Sequence, residues 1–88
     1  MRQHLNIRFF GDVQGVFFRQ FISDKAAELG IVGFVRNDAD GTVYTEAEGE
    51  EAILNKLISL AKKGPGKVTD VTTTTGNIKN FSDFKIEY

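Results

Sequence analysis

The 88-residue sequence contains no cysteine, one proline and one histidine, and its basic residues are not in excess. The absence of cysteine excludes disulfides, cysteine-ligated zinc and thiol catalysis, and it fits a reducing compartment. With 11 Lys and Arg against 12 Asp and Glu, the formal charge is -1, so the chain lacks the broad positive field that sequence-independent nucleic-acid binding requires. No apolar run has the length of a signal peptide or a membrane span. We therefore expect a soluble, cytoplasmic protein that binds neither nucleic acid nor membrane.

The residues that are present suffice for a single domain over residues 1–88, since 41% are apolar and 11% are aromatic. Apolar residues at every second position from Leu5 to Phe9 predict the first strand. Helical spacing follows from Phe17, and Gly30 is placed to end that helix as a C-cap. Branched and aromatic residues on both sides of the turn sequence DADG predict a hairpin over Ile31 to Glu48.

The second half of the chain contains one more helix and further strands. A helical apolar stripe begins at Ile53 and stops near Lys63, before the GPG sequence. The stretch KVTDVTTTT has strong β propensity, but Val68 and Val71 are out of phase, which predicts a bulge or a late strand start. Alternation resumes in FSDFKIEY. The order βαββαβ, with scope for a short extra C-terminal strand, predicts a ferredoxin-like α+β sandwich in which two helices cover one face of an antiparallel sheet.

The stretch GDVQGVFFR, residues 11–19, lies between the first strand and the first helix. Gly11 and Gly15 permit a positive φ or the close approach of a ligand. Consecutive backbone amides from Gln14 to Phe18 are placed to point into one concavity at the positive end of the helix dipole. Arg19, in the first helical turn, is placed to bind phosphate oxygens in a bidentate fork. These residues indicate an anion site, although the glycine spacing by itself fits turn geometry equally well.

Two motifs of the chain match long signatures in the right order. GDVQGVFFR agrees with every specified position of Gly-x-Val-Gln-Gly-Val-x-Phe-Arg, and GFVRNDADGTVYTEAEG, residues 33–49, agrees with Gly-aromatic-aliphatic-basic-Asn followed at fixed spacing by Gly, Val and Gly. In these motifs, the GPGKV break and the aromatic last strand, the chain resembles the acylphosphatase family over nearly its whole length. Phe9 stands where an aliphatic residue is usual, Phe34 where tryptophan is common, and Gly66 where a second proline often follows Pro65.

The resemblance implies an enzyme that hydrolyses the carboxyl-phosphate bond of small acyl phosphates without a metal or other cofactor. The loop amides and the arginine would hold the phosphate, and the asparagine would orient the attacking water. The phosphate-binding residues are then Gln14, Gly15, Val16, Phe17, Phe18 and Arg19, and the catalytic residues are Arg19 and Asn37. The chemistry agrees, because a departing carboxylate, with a conjugate-acid pKa of roughly 4 to 5, needs no general acid near neutral pH.

Other polar residues have simpler explanations. Asn37 precedes the DADG turn, and without the motif an asparagine there is best explained as turn chemistry. Asp38 and Asp40 do not form a calcium loop, because Arg36 and Ala47 would occupy its first and twelfth positions, so both are expected to be turn residues. His4 lies on the polar parity of the first strand and is expected at the surface rather than acting as a general base.

Three other functions remain open from the sequence. RNA-recognition motifs share the βαββαβ order, but TVYTEAE offers one tyrosine and two glutamates where such motifs carry basic and aromatic residues. A phosphate-binding module without turnover would keep the loop. The third alternative is a stand-alone relative of the acylphosphatase-like domain of carbamoyl-transfer maturation proteins. We expect a monomer whose partner is its small-molecule acyl phosphate substrate.

Overall fold

The computed structural model describes residues 1–88, and seven elements follow one another along the chain. They are β1 (Arg2–Asp12), α1 (Phe18–Leu29), β2 (Val32–Asn37), β3 (Val43–Glu50), α2 (Glu51–Ala61), β4 (Lys67–Gly76) and β5 (Phe84–Glu87). The predicted βαββαβ order is confirmed, and the short extra strand is present as β5. Neither helix is long and apolar enough to cross a membrane.

One five-stranded sheet runs in the order β4-β1-β3-β2-β5. The pairs β4 with β1, β1 with β3 and β3 with β2 are antiparallel, as predicted. The last strand differs, because β5 adds to the edge of β2 in parallel orientation and makes the sheet mixed. This direction arises because the chain crosses the sheet after β4 before it reaches β2, which places β5 beside a strand that runs the same way.

The hydrophobic core lies between the sheet and the two helices. Every second residue of β1 from Leu5 to Phe9 is buried, and Phe9 contacts Phe18 of α1 edge to face with 5.2 Å between ring centroids. The fourteen buried apolar residues form one cluster: Leu5, Ile7, Phe9, Val13, Phe18, Ile22, Ala26, Ile31, Val35, Val43, Ala47, Leu54, Leu57 and Ala61. The periods of two and 3.6 in the sequence therefore identify the faces that pack together.

Several local predictions are also confirmed. Gly30 caps α1 in the left-handed region at φ 71°, and the N–H of Ile31 donates to the Ala26 carbonyl at 2.9 Å, as in a Schellman-type helix end. The register between β1 and β4 shifts after Phe10, which is the bulge expected from the valine phases. Helix α2 ends at Ala61, two residues before Lys63.

His4 is buried, so the prediction that it lies at the surface is wrong. Only 2% of the residue is exposed. Its ring stacks on Phe81 with 6.0 Å between centroids, and its Nδ1 lies 2.7 Å from Glu48 Oε2. His4 does lie on the face away from the helices, but the connection between β4 and β5 crosses that face and covers it. The alternation of residues in β1 does not predict that the β4–β5 connection covers His4, because Phe81 is remote from β1 in the sequence.

The carboxylate of Glu48 joins that connection to the sheet. It accepts hydrogen bonds from His4 and from the backbone N–H groups of Lys79 and Phe81, and its side chain is fully buried. Burial alone would raise the pKa of the Glu48 carboxyl, but these hydrogen bonds outweigh burial and lower the pKa below its usual value of 4.5. Glu48 is therefore ionised in the folded protein at neutral pH.

Replacement of Glu48 by glutamine is expected to destabilise the protein by about 2 kcal/mol at neutral pH, since hydrogen bonds to a buried charged group are lost. Because the pKa of Glu48 is lowered on folding, its contribution is complete above pH 4.5 and is lost as the pH falls through the lower folded-state value. Urea unfolding at several pH values checks this. The difference between the parent protein and Glu48→Gln should shrink below pH 4.5, while the exposed Glu28→Gln control should show no such difference. A difference that is independent of pH would contradict this assignment.

Candidate active site

A cleft of about 390 Å³ opens where β1 leads into α1, beside the ends of β2 and β5. It brings together residues from three separate parts of the chain. The lining residues are Val13, Gly15, Phe17, Phe18, Arg19, Gln20, Asn37, Ile86 and Tyr88. Arg19 and Asn37, the two predicted catalytic residues, therefore face the same space.

The loop that enters α1 has an unusual backbone. Gly15 has φ 72° and Phe17 has φ 60°. A side chain at Gly15 would meet no atom within 4 Å, so the need for glycine at that position is conformational. Phe17 adopts the left-handed region although it is an aromatic residue, and 85% of it is exposed. Strain of this kind is concentrated at ligand-binding and catalytic sites.

The first turn of α1 has no side-chain cap. Phe17 occupies the N-cap position without a side-chain hydrogen bond, and no acidic residue lies in the first turn. The first N–H groups of a helix have no partner inside the helix, and their partial positive charge favours an anion. Because Phe17 and Phe18 line the cleft, this helix end is available to an anionic ligand.

Gly11 has a different role from Gly15. It has φ 121°, and a Cβ atom there would lie 2.1 Å from the Lys67 carbonyl oxygen of β4. The close approach that excludes a side chain is therefore between two strands at the bulge. Of the two glycines in the motif, only Gly15 lines the cleft.

Arg19 is held from the side of β5. Its Nη1 donates to the carbonyl of Glu87 at 3.3 Å, and its guanidinium lies over the Tyr88 ring, 4.8 Å from the centroid. These two contacts engage one side of the guanidinium, and its other N–H groups stay free to bind a ligand. Arg19 is partly exposed, in agreement with its position off the apolar stripe of α1.

Asn37 is the last residue of β2. Its Oδ1 is buried and has no hydrogen-bond partner within the protein. A buried acceptor without a partner is costly, and such atoms in a cleft are candidates for contact with substrate or water. Asn37 Oδ1 therefore accepts no hydrogen bond from the following turn. In that turn it is the Asp40 carboxylate that accepts hydrogen bonds, from the N–H and the hydroxyl of Thr42.

Two residues of the predicted phosphate-binding set do not line the cleft. Gln14 and Val16 are absent from its lining, although Gly15, Phe17 and Phe18 are present. The Gln14 side chain is directed to the turn after β2, where its Nε2 donates to the carbonyls of Asp38 and Thr42 at 2.8 and 2.9 Å. His4 also lies outside the cleft, so its position does not favour the general-base alternative.

Sequence reasoning missed the contribution of the C-terminal strand to the cleft. Ile86 and Tyr88 both line it, and Val13 and Gln20 complete the walls. The alternation of Phe84, Ile86 and Tyr88 predicted a strand, but it did not predict which strand of the sheet would pair with it. The parallel pairing of β5 with β2 places Ile86 and Tyr88 beside Arg19. No local signal in the sequence identifies that pairing.

Besides Arg19 in the cleft itself, a cluster of charged side chains lies at the turn that follows Asn37. Hydrogen bonds from Arg8 and Arg36 to Asp38 hold the pKa of that carboxyl below its usual value. Asp38 and Asp40 are turn residues, as predicted. No group of three or more His, Cys, Asp or Glu side chains is arranged to hold a metal ion. The side chains that line the cleft include no carboxylate and no imidazole.

An uncapped helix end and a guanidinium facing one cleft, on a ferredoxin-like sheet, are typical of proteins that bind phosphate groups. The comparisons with known proteins agree with this class. The Acylphosphatase family model matches residues 5–86 of the chain. An acylphosphatase of Archaeoglobus fulgidus is 44% identical over 86 residues, covering 96% of this chain and 97% of the relative. The chain belongs to the acylphosphatase family.

Solved structures support the same assignment. The crystal structure of acylphosphatase from Bacillus subtilis has a TM-score of 0.94 and 35% sequence identity, with both chains covered completely. Full-length HypF, solved in a phosphate- and nucleotide-bound form, contains a region with a TM-score of 0.87 and 30% identity. That match covers all of this chain and 12% of HypF. The resemblance stated from the two sequence motifs is thus confirmed in sequence and in fold.

Proposed function

We propose that this acylphosphatase hydrolyses the carboxyl-phosphate bond of small acyl phosphates by direct attack of water, without a metal ion. The phosphate is held by Arg19 and by backbone amides of the 14–18 loop, of which Gly15, Phe17 and Phe18 line the cleft, and Asn37 positions the water. The observation that carries the proposal is the meeting of Arg19, Asn37 and the uncapped start of α1 in one cleft. Phosphate recognition and water positioning require groups of these kinds within reach of one phosphorus atom.

The lining of the cleft supports a substrate with a good leaving group. None of its side chains is a carboxylic acid or an imidazole that could protonate a departing oxygen. A carboxylate leaves readily at neutral pH, whereas an alkoxide from a phosphate monoester would need a general acid. The chemistry available in the cleft therefore favours acyl phosphates over phosphate monoesters.

In the proposed step, water forms a new bond to phosphorus while the bond from phosphorus to the acyl oxygen breaks. The electron pair of that bond leaves with the carboxylate. One proton of the water passes to a phosphoryl oxygen and the other stays on the attacking oxygen, so the second product is inorganic phosphate as dihydrogen phosphate. Asn37 Oδ1, a buried acceptor, receives a hydrogen bond from the water and directs its lone pair at phosphorus. Arg19 and the helix N–H groups stabilise the charge on the phosphoryl oxygens, which is the main demand of a loose transition state.

The purified protein is expected to hydrolyse an aryl acyl phosphate such as benzoyl phosphate at a rate that EDTA does not change. Inorganic phosphate should inhibit competitively, because the product occupies the same amides and guanidinium. Steady-state kinetics with and without chelator, at several phosphate concentrations, test both points. Loss of turnover in EDTA with recovery on adding a divalent metal would contradict the metal-free step. Competitive phosphate binding without any turnover would identify a binding module instead.

We also propose that residues 1–88 form one acylphosphatase-like domain that acts as a monomer in the cytoplasm. The single buried cluster and the Cα radius of gyration of 11.6 Å support a compact unit, since about 12 Å is usual for a domain of this length. These properties stay predictions, and light scattering of the purified protein measures the oligomeric state directly.

A further inference from the structure

The side chain of Gln14 connects the loop before α1 to the turn after Asn37. Its Nε2 donates to the Asp38 and Thr42 carbonyls at 2.8 and 2.9 Å, so both hydrogens of one amide group are used by two carbonyls of the same turn. Among side chains with the length of glutamine, only one that ends in an amide NH2 group donates to both carbonyls. A glutamate would direct carboxylate oxygens at carbonyl oxygens, and a methionine would offer no donor.

The turn that contacts Gln14 is itself held by side chains of neighbouring strands. One oxygen of the Asp38 carboxylate accepts from Arg8 of β1 at 2.6 Å, and the other accepts from Arg36 of β2 at 2.8 Å. Both guanidinium groups also lie over the Tyr44 ring of β3, at 4.8 and 4.7 Å from its centroid. Charge-assisted hydrogen bonds of this length restrict the side chains that make them. The position of the turn is therefore set by three strands of the sheet.

Within the turn, backbone hydrogen bonds fix the two carbonyls that Gln14 contacts. The N–H of Asp38 donates to the Thr42 carbonyl at 2.9 Å, and the N–H of Gly41 donates to the Asp38 carbonyl at 3.1 Å. The Thr42 hydroxyl donates to Asp40 at 2.6 Å and accepts from Arg8 at 2.7 Å. Gln14 is thus attached to a rigid part of the molecule.

We infer that Gln14 is a positioning residue, whose side chain fixes the phosphate-binding loop relative to Asn37. This inference rests on the proposed function, in which the loop holds the phosphate and Asn37 holds the water. Gln14 follows Val13 and precedes Gly15, which line the cleft, and Asp38 directly follows Asn37. The hydrogen bonds of Gln14 therefore set the distance between the bound phosphate and the attacking water. Hydrolysis is sensitive to that distance, since a displacement of about 1 Å can cost on the order of 100-fold in rate.

A Gln14→Met variant tests the link, because methionine has a similar length and no donor. We expect kcat for benzoyl phosphate to fall by roughly 10-fold to 100-fold. The competitive inhibition constant of inorganic phosphate should change by less than about threefold, because the amides and Arg19 that bind it are retained. The matched control is Gln3→Met, which removes a glutamine hydrogen bond to Glu51 at the far end of β1 and should leave kcat unchanged. Gln14→Asn, which keeps the amide but is one methylene too short to reach both carbonyls, should behave like Gln14→Met and serves if the methionine variant does not fold.

A double-mutant cycle with Asn37→Ala separates positioning from mere stabilisation. If Gln14 acts by aligning loop and water, Gln14→Met should cost little further kcat in a protein that already lacks the Asn37 amide. Fully additive losses, or a folded Gln14→Met protein with kcat within about twofold of the parent, would overturn the inference. The parent protein is assayed first. An inactive parent contradicts the proposed function, whereas an active parent with an equally active Gln14→Met contradicts only the role of Gln14.

Discussion

Arg19→Lys is expected to lower kcat/KM by about 1000-fold, as for other arginines that stabilise a transferring phosphoryl group. Lysine retains the positive charge but not the planar set of donors that binds two phosphate oxygens at once. It also loses the contact of the guanidinium with the Tyr88 ring. Phosphate inhibition should weaken together with turnover, because ground state and transition state share these oxygens.

The Arg19→Lys protein should remain folded, since Arg19 is not part of the buried cluster. Circular dichroism and thermal unfolding establish this before kinetics are compared. Arg2→Lys is the matched control, because Arg2 is an exposed arginine at the other end of β1 that lies 3.7 Å from Glu48, and its turnover should equal that of the parent. If folded Arg19→Lys hydrolysed benzoyl phosphate at nearly the parent rate, Arg19 would be a surface cation with no part in catalysis.

Asn37→Ala is expected to lower kcat on the order of 100-fold while phosphate binding is spared. The Oδ1 atom that would accept a hydrogen bond from water is removed, but the helix N–H groups and Arg19 that bind phosphate stay in place. A loss confined to kcat is the sign of an interaction that forms in the transition state. Steady-state kinetics with phosphate as inhibitor measure both quantities in one experiment.

A purely structural role for Asn37 makes the opposite prediction. If Asn37 served the turn before Gly41, its loss would cost about 1 kcal/mol of stability, as lost turn hydrogen bonds do, and the folded fraction would keep its turnover. The hydrogen bonds of that turn come from Asp38, Asp40 and Gly41, which favours the catalytic role. Asn55→Ala, at an exposed position of α2, is the control for loss of an asparagine amide. An active but less stable Asn37→Ala protein would contradict the assignment to water.

The sequence predicts those parts of the fold that depend on local periodicity. Three predictions depend on residues that are close together in the sequence: the alternation in β1, the helical stripe around Ile22 and the glycine at the end of α1. All three agree with the structure. The parallel pairing of β5 with β2 and the burial of His4 depend on the path of the chain after β4. Those contacts join distant residues, and neither propensity nor period describes them.

The candidate site was predicted by motif more than by physical pattern. Asn37 looks like an ordinary turn residue in isolation, and only the family signature assigns it a role. The side-chain role of Gln14 was missed for another reason. Its backbone was considered as a phosphate ligand, but its side chain contacts the main-chain carbonyls of Asp38 and Thr42. Because every residue has a main-chain carbonyl, the sequence does not indicate which ones a side chain contacts.

Because β5 lies at the edge of the sheet, the cleft can open while the rest of the fold stays intact. β1 and β3 have neighbours on both sides, whereas β5 has four residues and pairs only with β2. A short edge strand opens at a smaller free energy than the central strands do. Its opening would take away the Glu87 carbonyl that accepts from Arg19 and remove Ile86 from the cleft, while the core between the helices and the central strands stays closed. On the proposed function, the protein is therefore expected to lose activity through opening of β5 at a smaller free energy than global unfolding requires.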